Sequence, residues 1–193
     1  MESKKLKELI LRSFQEARCA RISDLTPQDL HRKRSQEWVK VLARNFRKCY
    51  SNQDNKVKVF SKDFGEHRAE FKVNELLYDI AVCRTSETSS AQKRTPLTYI
   101  QEALWVVESE MAKDSHEAII DFSKLVMGSA QNKLFIGPKV NNQGNFNKVL
   151  LAPAGHCSGN VYLAIIPHPE DWGKRDNEPE LFILSGKSWK KVS

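Results

Sequence analysis

Apolar positions recur at helical spacing through residues 3–20, where Leu6, Leu9, Ile10, Phe14 and Ala17 form one stripe among charged neighbours. A second helix is predicted to start at Thr26. A hydroxyl there is followed by Pro27 and then by Asp29, the order of a cap, a first-turn proline and a first-turn acid. Leu30, Trp38, Val41, Leu42 and Phe46 give it an apolar face, and the polar run Ser51–Asn55 ends it. The period then drops to two. Lys56–Phe60 alternates as a strand does, Glu70–Val73 reads as another short strand or the lead-in to the next, and Leu76–Arg84 and Ala103–Met111 are strands. Thr85–Pro96 is small and polar and reads as a loop, while Tyr99–Glu102 fits either a strand extension back to Thr98 or a helical turn. Asp114 or Ser115 caps a helix whose wide apolar face comprises Ile119, Ile120, Phe122, Leu125 and Val126, with Gly128 weakening its end. Lys133–Gly137, Asn160–His168 and Glu180–Leu184 are short apolar strands. Two helices, several strands, a helix and three more strands make an α/β or α+β chain, a mixed sheet covered by helices.

The 193 residues suit a single domain, 1–193, made of a basic helical region at 1–52 and a sheet core at 56–185. No apolar run reaches the roughly 18 residues of a membrane span. The start of the chain lacks the apolar block of a secretory signal, and Glu2 and Glu8 argue against a transit peptide. Cys19, Cys49, Cys83 and Cys157 show no paired spacing, which predicts reduced thiols, a cytoplasmic setting and no zinc centre. Charge changes the picture more. Residues 1–50 hold thirteen Lys/Arg against six Asp/Glu, the whole net +7 of the chain, and the remainder is balanced. Such a patch suits either a polyanion or a plain solvated helix face. The cations concerned are Arg32, Lys33, Arg34, Lys40, Arg44, Arg47 and Lys48.

The chemistry sits in two apolar strands. Leu76–Arg84 carries Asp79, and Ala103–Met111 carries Glu108 and Glu110. An isolated buried carboxylate costs several kcal/mol or more. Residues two apart on a strand share a face, so Glu108 and Glu110 point one way and Ser109 the other. If the two strands are neighbours, Asp79 joins them, and three convergent carboxylates suit a hard cation, Mg²⁺ or Mn²⁺. Such an ion stabilises charge on a phosphate and lowers the pKa of water. The blander reading has the acids facing water at strand ends. Gly-x-Ser-x-Gly, Walker and Rossmann patterns are absent, so acyl transfer and nucleotide binding have no support and a small-molecule partner is not expected. His168 and Trp172 read as a proline-stiffened turn with its anchor, and adjacent His156 and Cys157 diverge too far to form a nucleophile pair.

"LLYDIAV" and "LWVVESE", followed by a helix with "DFSKL" and an apolar strand, resemble the PD-(D/E)XK nuclease superfamily over roughly residues 56–140. The resemblance implies a restriction-endonuclease-like core, an α/β fold with a mixed central sheet flanked by helices, with the two N-terminal helices beside it. It makes Asp79 and Glu108 the metal-binding acids and sets Glu110 where the superfamily usually has lysine. That departure replaces a cation by a group that accepts a proton from water or holds a second metal. Lys124, on the helix that follows, is the candidate substitute for the missing lysine. Glu37, on the helix before the sheet, is the candidate to complete the metal shell, with Glu75 as the alternative. The implied function is Mg²⁺-dependent hydrolysis of DNA phosphodiester bonds, with the basic stretch from Arg32 to Lys48 on the backbone and a homodimer by analogy. Two other readings stand beside it: an inactive nuclease-like module that binds nucleic acid or protein, and a ribonuclease or structure-specific repair nuclease.

Overall fold

The computed structural model describes residues 1–20, 22, 26–51, 55–90, 96–173 and 178–193. Parts of the turn expected at Ser51–Asn55 and of the loop expected at Thr85–Pro96 lie outside them. The elements run α1 (Ser3–Arg18), α2 (Pro27–Ser51), β1 (Val57–Phe60), α3 (Arg68–Phe71), β2 (Ile80–Ser89), β3 (Pro96–Ser109), α4 (Ser115–Met127), β4 (Ala130–Pro138), α5 (Gln143–Ala154), β5 (Asn160–Ile166), β6 (Glu180–Ser185) and β7 (Ser188–Lys191). The seven strands form one mixed sheet in sequential order. β1, β2 and β3 are antiparallel, β4 and β5 continue parallel to β3, and β6 and β7 return antiparallel.

Strand alternation splits the apolar residues between two layers. Trp105, Val107, Leu134, Ile136 and Tyr162 face α1 and α2, where they meet Leu6, Phe14, Trp38, Leu42 and Phe46. Val106, Phe135, Val161 and Leu163 face α4 and α5, meeting Phe122, Leu125, Phe146 and Leu150. Covered on both faces, the central strands read as continuous apolar runs. The start of α2 is fixed as its sequence predicts: the Asp29 N–H donates to Thr26 Oγ1 at 3.2 Å, and that hydroxyl donates to the Asp29 carboxylate at 2.8 Å.

Three local readings are corrected, the first being that the strand expected at Leu76–Arg84 begins only at Ile80. Glu70–Val73 is not a strand; the short helix α3 ends there, and Lys72 adopts a left-handed φ of 64°. Thr85–Ser89 is not loop but the far end of β2, paired with Pro96–Ile100, because its threonines and serines suit an exposed ladder. The same pairing makes Tyr99–Glu102 strand. Beyond the last expected strand, Ser188–Lys191 folds as β7 against β6. Finally, α5 went unread: Asn-rich and holding Pro153, it has weak helical signals, but the parallel β4–β5 pair requires a crossover. Among the described residues no helix is long and apolar enough to cross a membrane.

Candidate active site

The parallel strands β3, β4 and β5 point their carboxyl ends the same way. Glu108 is the penultimate residue of β3, and Asp79 immediately precedes β2, so neither sits mid-strand. The last β2–β3 pair is Ile80 with Val107, which sets Asp79 beside Glu108. The Ser109 N–H donates to Asp79 Oδ2 at 2.9 Å and locks that carboxylate against the neighbouring strand. Ser109 turns its own side chain the other way, where its hydroxyl accepts from Trp38 Nε1 at 3.2 Å. Glu108 turns toward α4, and Glu110, just beyond the strand, does the same: it accepts the Ala112 N–H and meets the carboxyl of Asp121.

Helix α4 supplies the counter-charge. Asp114 caps its start by accepting the His116 N–H at 2.9 Å, which orients the first turn. In the last turn, Lys124 Nζ lies 3.1 Å from Glu108 Oε2 and 2.7 Å from Asp121 Oδ1. Tyr78 buttresses this junction. Its hydroxyl donates to the Lys124 carbonyl at 3.3 Å, and a Cβ on Gly128 would lie 2.5 Å from the Tyr78 hydroxyl oxygen, so a larger residue there would push the tyrosine aside. Asp79, Glu108, Glu110 and Lys124 are thus brought together, along with Asp121, which the sequence reading passed over. Its signal was present in the i, i+3 spacing from Lys124, which puts the two on one helix face.

Electrostatics follow from burial. Glu108 is 2% exposed, and its Oε1 has no hydrogen-bond partner. Burial first, and the charge of Asp79 second, push its carboxyl up to about 8, against the pull of Lys124. Asp79 is raised too, by burial above all, with the Ser109 N–H and Lys124 opposing. Burial likewise raises Glu110, and the contact with Asp121 adds to it. Lys124 runs the other way. Burial alone would lower it, but Asp121 and Glu108 hold it above the ordinary lysine range.

Beside Asp79 opens a cleft of about 390 Å³, lined also by Gln36 and Val39 of α2, Lys62, Glu75 and Ser109. Of the two acids considered for the shell, Glu75 borders this cleft and acts on Asp79 by its charge, whereas Glu37 does not join the cluster. The Glu37 carboxylate lies 3.8 Å from Arg44 and 4.0 Å from Lys40, because residue 37 falls on the outer face of α2 when Trp38 is turned inward. The basic residues divide as well. Lys33, Lys40, Arg44 and Lys48 are exposed along one stripe, spanning about 22 Å at the helical rise. Gln36 lies on that stripe and leads it into the cleft. Arg32 pairs with Asp29 at 2.9 Å and Arg47 with Glu66 at 2.6 Å. Arg34 is half-buried and turned to a neighbouring segment: its guanidinium donates to the Pro169 carbonyl at 2.6 Å and stacks over Trp172, fastening α2 to the Pro169–Asp171 turn.

Among the described residues no three His, Cys, Asp or Glu side chains already converge as a metal cage. The Lys124 ammonium holds the middle ground between the acids. The donor set is nonetheless of the kind a hard cation takes, carboxylates from separate elements with one buried oxygen bare. No family model matches the chain, and no curated protein matches it.

Proposed function

We propose that the chain is a restriction-endonuclease-like, divalent-metal-dependent nuclease acting on DNA. The observation that carries the reading is the bare Oε1 of Glu108, buried at the end of a parallel strand between Asp79 and Lys124. A buried acceptor without a partner costs about 1–3 kcal/mol, more if charged, and a protein keeps such a group where something else completes it. Asp79 and Glu108, with Glu110 at the rim, would hold Mg²⁺ or Mn²⁺, and the ion would supply charge stabilisation at phosphorus and a more acidic water. The order of elements agrees with the resemblance: a helix, the strand entered by Asp79, the strand ending in the acids, a helix with the lysine, and a parallel strand.

The residues divide the work. Asp79, pinned by the Ser109 N–H, faces the open cleft and the entering phosphodiester. Glu110, in place of the usual lysine, accepts a proton from the attacking water. Lys124 provides positive charge for the phosphate oxygens. Lys62 at the mouth, and Lys33, Lys40, Arg44 and Lys48 along α2, draw the backbone toward the cleft by neutralising phosphates without reading bases.

The test is nicking of supercoiled plasmid DNA with Mg²⁺ or Mn²⁺. Glu108→Gln is expected to abolish nicking and to leave salt-dependent DNA binding intact. Metal-independent nicking, or a Glu108→Gln chain that still nicks, rejects the proposal. DNA binding by the wild-type chain with no cleavage under any divalent ion favours the inactive binding module, the reading that the Lys124–Glu108 ion pair supports.

A further inference from the structure

Two carboxyl groups from two elements grip one ammonium, and the carboxyls of Asp79 and Glu110 stand near them. Lys124 Nζ bridges Glu108 of β3 and Asp121 of α4, at 3.1 Å and 2.7 Å. Asp121 in turn meets the Glu110 carboxyl. One amine cannot balance this set, and the buried Glu108 Oε1 beside it stays bare. The amine also has somewhere to go: the Lys124 side chain is 33% exposed, while that of Glu108 is 2% exposed. A divalent cation entering here would meet oxygens fixed by strand and helix, while the flexible lysine withdraws to water at little cost.

We infer that Asp121, presented by α4 beside Glu108 and Glu110, is a direct ligand of the divalent cation, and that Lys124 is the internal cation whose place the ion takes. This deepens the nuclease reading and rests on it. It assigns the helix-borne member of the shell to α4, on the opposite face of the sheet from Glu37. An Asp121 that merely tethered Lys124 would have no effect on the metal once the lysine was gone, and that difference makes the two roles separable.

The experiment is titration of the metal-free full chain with Mn²⁺, followed by calorimetry and by the loss of the free-ion electron paramagnetic resonance signal, with circular dichroism to confirm that each variant folds. Asp121→Asn is expected to weaken Mn²⁺ binding at least tenfold. Lys124→Met, which removes the competing ammonium, is expected to tighten it at least threefold. In the Lys124→Met background, Asp121→Asn should again cost at least tenfold. A double variant that binds as tightly as Lys124→Met alone overturns the inference, as does a Lys124→Met chain that binds no more tightly than wild type. If wild type binds and Glu108→Gln does not, a failure of the Asp121 arm falls on this inference alone. If wild type takes up no Mn²⁺, the metal-dependent reading falls with it.

Discussion

Glu108 and Lys133 are two charges buried on the same face of neighbouring strands, and the fold treats them in opposite ways. Lys133 is 0% exposed, yet its four-carbon stem lies among the apolar residues under α4 and α5 while its amine reaches Ser158 Oγ at 3.1 Å. That is burial by reach: the long side chain delivers its polar end to a partner near the margin. Glu108, with two methylenes, cannot reach out. Lys124 comes to it instead, and one carboxylate oxygen still lacks a partner. A charge whose stem packs and whose head is satisfied needs no further explanation than packing. A charge that its surroundings compensate only in part is the observation on which the proposed metal site rests.

Activity separates the pair most widely. Glu108→Ala should lower metal-dependent nicking at least about a hundredfold, the scale on which acid–base and charge-stabilising groups act. Lys133→Met, assayed alongside, should leave it within about twofold. Equal losses would show that the two charges serve one network and that the contrast is false.

Stability should reverse the ranking. Lys133→Ala empties space under two helices and is expected to cost about 2–3 kcal/mol in urea unfolding. Lys133→Met, which keeps the stem, should cost under about 1.5 kcal/mol. A Met variant as unstable as the Ala variant would mean that the bond to Ser158, not the stem, holds the site.

Stability against pH should tilt oppositely for the two. Glu108 titrates near 8 in the fold and near 4.5 when unfolded, so the metal-free native state binds more protons between those values. Its contribution is whole below about pH 4.5 and is lost as pH rises through about 8. Lys133 is lowered, chiefly by burial, so the native state binds fewer protons and stability grows as pH rises from its folded value toward 10.5. Melting temperatures of wild type and Glu108→Gln across pH 5–9 test this, and the wild-type decline should flatten in the variant. A variant that keeps the same slope would assign the effect to other groups.

The smallest effects belong to the stripe on α2. Arg44→Ala and Lys40→Ala remove exposed pairs with Glu37 and should change stability by less than about 0.5 kcal/mol. Each should nonetheless lower the slope of log affinity for DNA against log salt by about 1. An unchanged slope would take these residues off the interface.

Glu108 and Glu110 were legible because strand period fixes which residues share a face, and both do turn to α4 while Ser109 turns to Trp38. Trp38 was legible as core from helical spacing in α2, and it is fully buried. Asp121 was not singled out. Its helix had been read, but nothing local says that α4 lies over the end of β3. Glu37 misled because its place in chain order matches a helix before the sheet, and only the rotation of α2, set by Trp38 facing inward, decides where its carboxylate goes. The crossover helix α5 was lost for a different reason: asparagines and a proline carry little helical signal, and the parallel pairing of β4 with β5 that demands it is a long-range fact.

The sequence by itself determined the two N-terminal helices, the two strands beside which the acids lie, the concentration of positive charge in the first fifty residues and the shared direction of Glu108 and Glu110. These follow from local periodicity and caps, and neighbours in sequence supply the physics. Only the tertiary structure decided that Lys124 meets Glu108, that Asp121 joins the acids and Glu37 does not, and that one oxygen is left bare. Burial and compensation of charge depend on which elements pack together, and that choice is made by the whole apolar surface at once.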